Sequence, residues 1–357
     1  MTVKLPQWLQ GQGPERDMIL SSRVRLARNL DTMPFPYGMS DQEKDQLIIS
    51  LEETLASQAF REEAGELRLY RMESLSGLDR QFLLEKHLIS PAMLDNFRHR
   101  AIILSEDEQV SILINEEDHF RIQAFASGLD LSEAHALANK LDDLLERFYS
   151  FAFHPRYGYL TSCPTNVGTG VRFSVMAHLP ALEMTGAFRD TGRALGQEGF
   201  VLRGFFGEGS DGYGNLYQIS NQVTLGVREE DLRQALENRV QALIREEKKA
   251  RDRLFANQPY EMQNIIYRAY GILRYGVLLT AREGMNNVSL LRLGLERGMS
   301  FEAEPEYGKL NSLVVLAQPA GLQSWYGKLM SPEERDRVRP ALFREVLGLG
   351  GRKDALG

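Results

Sequence analysis

Tyr159-Leu160-Thr161-Ser162-Cys163-Pro164-Thr165-Asn166-Val167-Gly168-Thr169-Gly170-Val171-Arg172 sets the reading of the whole chain. Gly168 and Gly170 bracket a threonine, and without a Cβ they let the backbone come close to a ligand. Cys163 is the only cysteine, which excludes an internal disulfide framework and a cysteine-rich zinc site. Two readings of it stand side by side. A lone cysteine is ordinarily a small inert hydrophobe. The other reading is a thiolate beside a cationic substrate, supported by a hydroxyl such as Thr165. Around this stretch, residues 158–226 alternate short apolar runs with Gly-rich turns, the pattern of antiparallel strands and loops.

Upstream lies Asn115-Glu116-Glu117-Asp118-His119-Phe120-Arg121, three consecutive carboxylates just past an apolar strand. Adjacent carboxylates repel, so such a run sits in solvent or binds cations. It reads either as a solvated turn or as a carboxylate pair that grips a guanidinium and accepts a proton. Further upstream, Ser21-Ser22-Arg23-Val24-Arg25 places two arginines at i and i+2, which a strand would point the same way. Downstream, Leu202-Arg203-Gly204-Phe205-Phe206-Gly207-Glu208-Gly209-Ser210-Asp211-Gly212-Tyr213-Gly214 contains the G-x-G-x-x-G spacing of a phosphate loop. Its companions are missing: no Val-Ala-x-Lys strand, no Gly-Lys-Ser/Thr, no His-Arg-Asp or Asp-Phe-Gly. The following Tyr217-Gln218-Ile219-Ser220-Asn221-Gln222 reads as a strand where a dinucleotide turn needs a helix, so 207–214 is read as a loop carrying Glu208.

Ser40-Asp41-Gln42-Glu43 is a capping box opening a helix to about residue 60. Residues 101–104, 110–114 and 120–126 read as strands, and Ser132 starts a helix with leucines at helical spacing. Beyond Gly226 the texture changes. Residues 229–256 form a charged helix with periodic apolar positions, then come helices at 262–279, 281–297 and 332–347. The expected class is α+β, with an antiparallel sheet flanked by helices in residues 1–250 and an all-helical domain in residues 251–357.

Composition bounds the function. Hydrophobic residues at 43% and charged residues at 25% are ordinary for a globular protein. A net charge of −7 argues against a nucleic-acid-coating protein. There is no apolar run of ~18 residues to cross a membrane, and Met1 to Trp8 lacks a signal peptide's apolar core, so the expected compartment is the cytoplasm. Only nine of the 42 basic residues are lysine. Arginine's planar fork grips phosphate and carboxylate in a way a lysine point charge does not.

Taken together and in this order, Ser-Ser-Arg-Val-Arg, Asn-Glu-Glu-Asp-His and Cys-Pro-Thr-Asn-x-Gly-Thr-Gly resemble the guanidino kinases, the family of creatine and arginine kinases, over residues 18–226. The resemblance implies that Arg25, Arg121, Arg172 and Arg203 surround the phosphates of ATP, with Ser21, Ser22, Arg23 and Val24 in the same stretch. It implies His87 beside the base, nucleotide contacts from Phe173, Ser174, Val175 and Met176, and a further stretch from Gly204 through Phe205, Phe206 and Gly207 to Glu208. Glu117 and Glu208 match the family's guanidinium-holding carboxylates, and Cys163 its reactive cysteine. Mg²⁺ is expected on the nucleotide rather than in a protein cage. Two carboxylates suit the chemistry, because a guanidinium must be oriented and relieved of a proton as phosphoryl transfer proceeds.

Creatine and arginine kinases carry a helical domain before the Ser-Ser-Arg-Val-Arg stretch, which here begins at residue 21. The extra helical residues instead follow the catalytic segments. Both features, with Glu85-Lys86-His87-Leu88-Ile89-Ser90-Pro91, are similar to the bacterial protein-arginine kinase branch. That branch implies protein substrates, the chain itself among them, and roles in stress response and Clp-type degradation. It also implies a homodimer, a zinc-binding activator, a heat-shock repressor and a Clp-type unfoldase as partners. A regulatory phosphoarginine pocket would fall at Arg335, Asp336 and Arg339, where Pro340 replaces the branch's alanine and is expected to disturb the helix. The competing expectations are a kinase for free arginine or another small guanidino compound, and a non-catalytic kinase-like adaptor.

Overall fold

A computed structural model describes residues 4–205 and 212–350. Its centre is an eight-stranded sheet in the order β2-β3-β4-β5-β1-β8-β10-β9. These strands are β1 (Ile19–Arg28), β2 (Leu67–Arg71), β3 (Ala101–Ser105), β4 (Val110–Ile114), β5 (Phe120–Ser127), β8 (Val171–His178), β9 (Phe200–Gly204) and β10 (Leu216–Asn221). The pair β6 (Phe153–His154) and β7 (Gly158–Tyr159) forms a separate hairpin. Neighbouring strands of the large sheet run antiparallel throughout.

The helices are α1 (Asp41–Ala56), α2 (Gln58–Ala64), α3 (Gly77–Glu85), α4 (Pro91–Asp95), α5 (Leu131–Glu146), α6 (Pro180–Met184), α7 (Phe188–Gln197), α8 (Glu229–Asn257), α9 (Pro259–Tyr275), α10 (Ala281–Glu296), α11 (Tyr307–Leu316), α12 (Pro319–Tyr326) and α13 (Pro332–Leu347). The capping box at Ser40 is made, but the helix ends at Ala56 and Ser57 caps a separate one. α5 starts a residue earlier than Ser132, because Asp130 accepts the Glu133 N–H and caps it. Residues 158–226 contain α6 and α7 as well as strands, a departure from the sequence pattern. The expected division at residue 250 falls within α8.

The pleat sorts the sheet into two faces. Val24, Leu26, Ile112, Ile122, Phe173 and Val175 face one core, closed by α1, α5 and α8. On the other face lie two apolar clusters. One joins Trp8, Phe82, Leu88, Ile102, Leu113 and Phe125. The other joins Leu20, Met176, Phe205, Tyr213 and Leu216 to Leu279, Met285, Leu313 and Phe343 of the helical region. The polar gap between these two clusters, floored by the central strands, is the cleft described next.

Candidate active site

Register alone puts the arginines together. Arg25 lies opposite Arg172 on one side and Gln123 on the other. Arg23 lies opposite Ser174 and Phe125, and Arg203 opposite Gln218. With Arg121 they line a cavity of about 410 Å³, shared with Glu85, His87, Ser90, Phe205 and Gln318. The same pleat divides the stretches that sequence reading took whole. Ser22, Val24, Phe173 and Val175 turn their side chains away from the cleft, Val24, Phe173 and Val175 into the core. Ser22 Oγ donates to the Gly128 carbonyl and accepts the Asp130 N–H. Ser21, Ser174 and Met176 line a small pocket beside the cleft with Trp8, His87 and Gln218. Gly204 borders an adjoining cavity with Arg203, while Phe206, Gly207 and Glu208 lie outside the described residues.

Like charges opposite one another oppose folding, and the electrostatics register it. Burial and the neighbouring Arg172 and Arg121 lower Arg23 to about 10. Burial, then Arg23, Arg172 and Arg121, hold Arg25 well below the usual arginine value. Its buried Nε has no hydrogen-bond partner among the described residues. Arg23 is better supplied, donating to Gln218 Oε1 at 2.6 Å and Ser174 Oγ at 3.3 Å. A face of this kind is complete only with a polyanion on it.

The three-carboxylate run is neither a solvated turn nor a cation cage. Asn115 takes a left-handed backbone (φ 58°) and donates to the Lys44 and His99 carbonyls. Glu116 and Glu117 hold Arg121 from two sides, at 2.8 and 3.0 Å. Asp118 turns inward, accepting from Asn29 Nδ2 at 2.6 Å and the Ser162 N–H at 2.7 Å. His119 Nδ1 accepts the Leu30 N–H. Thus one run fixes an arginine, ties β1 to the cysteine loop, and leaves Glu117 at the cleft.

Glu117 shares a pocket with Arg25, Arg121, Cys163, Thr165, Asn166 and Arg172. Desolvation raises its carboxyl above the usual range, Arg121 opposes, and Asp118 and Glu116 add to the rise. A hydrogen bond from Cys163 also reaches it. Cys163 Sγ lies 3.0 Å from Thr165 Oγ1, and Thr161 Oγ1 donates to the Cys163 carbonyl at 2.8 Å. Gly168 admits the chain's own backbone rather than a ligand. A Cβ there would stand 2.3 Å from the Thr224 carbonyl oxygen, at φ +116°.

At the other end, burial lowers His87 to about 3, with Arg23 and Arg25 adding to the effect, so the ring is neutral. It stands edge-on to Phe205 at 4.6 Å, and Trp8 stacks on Phe125 at 5.8 Å. Trp8, Glu85, Gln218 and Gln318 were not assigned from the sequence. Nothing in the short Pro6-Gln7-Trp8-Leu9 run signals a cleft.

Arg335, Asp336 and Arg339 sit on α13, apart from the cavity lining. Arg335 donates to the Met330 carbonyl, and buried Arg339 to the carbonyls of Ala317 and Leu279, besides pairing with Asp336. Pro340 does not end the helix, which runs on to Leu347. Its missing N–H would have served the Asp336 carbonyl, which instead accepts from Leu279 N–H at 3.0 Å.

Comparison with known proteins agrees with this geometry. Residues 49–250 match the ATP:guanido phosphotransferase C-terminal catalytic domain, and residues 259–355 the protein-arginine kinase McsB C-terminal domain. A protein-arginine kinase of Desulforamulus reducens is 44% identical, covering 97% of each chain. One from Symbiobacterium thermophilum is 44% identical over 96% of each. Among solved structures, the duplicated taurocyamine kinase of Schistosoma mansoni with transition-state-analogue components superposes with a TM-score of 0.58 at 26% identity, over 67% of this chain and 34% of that one. Lombricine kinase gives 0.55 at 24% identity, over 69% and 72%, which speaks for the fold. The chain belongs to the protein-arginine kinase family of the guanidino phosphotransferases.

Proposed function

We infer that the protein transfers the γ-phosphoryl group of ATP to the guanidinium of arginine side chains in proteins. One juxtaposition carries this: a buried arginine face, with the unpartnered Arg25 Nε at its centre, meets the Glu117–Cys163 pocket at one end. The face fits a polyphosphate and the pocket fits a planar cation. Arg23, Arg25, Arg121, Arg172 and Arg203 would hold the phosphates and stabilise charge on the peripheral oxygens during transfer. The cleft is lined by arginines rather than by a carboxylate cage, which fits a Mg²⁺ that would be carried by the nucleotide and supply neutralisation of its phosphates.

Glu117 is the proposed base. Its raised carboxyl is a better proton acceptor, and Arg121 and Cys163 aim it. Glu208 would hold a second edge of the guanidinium. Cys163 would favour the cation electrostatically as a thiolate, its proton given up to solvent when the guanidinium takes the place of the hydrogen bond to Glu117, and would form no covalent intermediate. We further propose a catalytic part in residues 1–250 and a helical part in 251–357 that serves dimerisation and phosphoarginine-dependent regulation through Arg335, Asp336 and Arg339. Cytoplasmic action in stress response, with a zinc-binding activator, a heat-shock repressor and a Clp-type unfoldase, completes the reading; no helix among the described residues is long and apolar enough to cross a membrane.

The test is competition. Free arginine and an arginine-rich protein share one ATP pool, and phosphoarginine is quantified in each fraction without acid, which cleaves the phosphoramidate. Label mainly on protein is expected. Label mainly on free arginine would overturn the protein-kinase reading and leave the guanidino-kinase chemistry.

A further inference from the structure

Glu85, Lys86 and His87 are consecutive, yet they reach three different parts of the molecule. Glu85 ends α3 and is 4% exposed. Its Oε1 accepts the Ala320 N–H at 2.9 Å and its Oε2 the Gly321 N–H at 2.7 Å. Those are donors of the first turn of α12, which has no other carbonyl to receive them within its own helix, and a carboxylate there is favoured by the helix dipole. Lys86 Nζ reaches back to Glu108, at 2.8 and 2.9 Å, beside β3 and β4. His87 lies between these anchors and the cleft, in a left-handed backbone (φ 59°) that a non-glycine residue adopts only when its surroundings impose it.

The connection is also spatial. Glu85, His87 and Gln318, the residue just before α12, line the same cavity. The helical region beyond α9 therefore forms part of the wall of the nucleotide cleft.

We propose that Glu85 is a positioning residue for nucleotide use: by clamping α12 to α3 it fixes His87 and the base end of the cleft. This rests on the reading of the cleft as an ATP site. Glu85 touches no reacting atom. It acts through the backbone of α12 on one side and through the 85–87 segment on the other. Burial raises its carboxyl to about 7, the Ala320 and Gly321 N–H groups opposing, so the clamp is strongest with the group ionised.

The full chain is prepared with Glu85→Ala, with Glu85→Gln, and with Ala320→Pro. The last deletes one of the two donors in the first helical turn, where proline is tolerated. Arg25→Ala runs in parallel. ADP affinity is measured by calorimetry, and KM for ATP and kcat on a protein substrate by phosphoarginine formation in that substrate. Each Glu85 and Ala320 variant is expected to weaken ADP binding and raise KM at least ~10-fold, with kcat within ~3-fold. The double variant Glu85→Ala with Ala320→Pro is expected to be no worse than the poorer single, since both break one clamp. Unchanged ADP affinity in Glu85→Gln and Ala320→Pro, while Arg25→Ala loses it, overturns the positioning role and spares the ATP reading. Unchanged affinity in Arg25→Ala as well overturns both. A lowered melting temperature with KM unaltered assigns Glu85 to the fold alone and also overturns the proposal. If Glu85→Ala does not fold, the glutamine and proline variants decide.

Discussion

Arg25 is surrounded by Arg23, Arg121 and Arg172, and burial denies it the water that would offset their repulsion. Removing such a charge relieves the folded state and ruins its use. Arg25→Gln is expected to raise the melting temperature of the ligand-free protein by ~2 °C, about 1 kcal/mol, while phosphoryl transfer falls at least ~100-fold. Thermal melts and initial rates on the same preparation check both halves; a variant that melts lower would contradict the electrostatic account. Glu117 carries the opposite kind of role. Glu117→Gln keeps shape and a hydrogen-bonding group for Arg121 but cannot accept a proton. At saturating ATP its kcat is expected to drop at least ~100-fold with the melting temperature nearly unchanged. Near-normal turnover would remove Glu117 from the chemistry. At this scale the sequence was most legible where residue type states a need: arginines at alternate strand positions and a carboxylate near a cysteine. Residue type and spacing alone could not say which member of Glu116-Glu117-Asp118 meets the cleft, and only the family resemblance chose Glu117, because that choice depends on Arg121, Asn29 and the Ser162 backbone, which contact this run only after folding.

Elements were legible in proportion to how local their causes are. The Ser40 capping box is made within four residues of chain and formed as read, and Ser331 makes a second one that the sequence reading did not name. α6 and α7 were hidden because α6 has five residues and α7 contains Gly192 and Gly196, so packing against β9 and α8 rather than propensity makes them helical. Pro340 misleads for a related reason: its missing donor is replaced by Leu279, some sixty residues away. The junction of β1 and α5 is set by another such long-range contact. Arg28 donates to Asp142 Oδ2 through Nε at 3.0 Å and Nη2 at 2.7 Å, and to the Thr169 carbonyl in the cysteine loop. Its guanidinium also lies 3.5 Å from the Tyr159 ring centre. Burial raises the Asp142 carboxyl, with Arg28 opposing, so the pair is held by geometry rather than by easy ionisation. Asp142→Ala leaves Arg28 buried without a counter-charge and is expected to cost ~3–5 kcal/mol. Urea denaturation measures it, and a loss below ~1 kcal/mol, the worth of a surface pair, would show the pair to be dispensable.

At the scale of the molecule, separate parts of the chain are joined at buried imidazoles, which no local pattern reveals. His119 Nδ1 accepts the Leu30 N–H, His178 Nε2 bonds Ser289 Oγ of α10 at 2.7 Å, and His87 packs on Phe205. Burial lowers all three: His87 to about 3, His119 to about 4, and His178 well below the ordinary value. In the unfolded chain each takes its proton near the ordinary 6.5. Between about 6.5 and about 4 the unfolded chain therefore binds more protons than the folded one. The histidine contribution to stability is fully present above about 6.5 and is lost as pH falls. Glu85, raised to about 7, works in the opposite sense between about 4.5 and about 7, and the smaller rises of Glu108, Glu117 and Asp142 add to it, but the three imidazole displacements are together the larger. Stability from urea midpoints is thus expected to fall between pH 6.5 and pH 4. His119→Asn retains an acceptor for the Leu30 N–H but cannot be protonated in this range. It should therefore remove ~3 kcal/mol of that fall, the equivalent of His119's displacement. A variant whose stability declines with pH as steeply as the parent's would show that His119 is not what acid attacks, and would shift the acid sensitivity to the β8–α10 junction at His178.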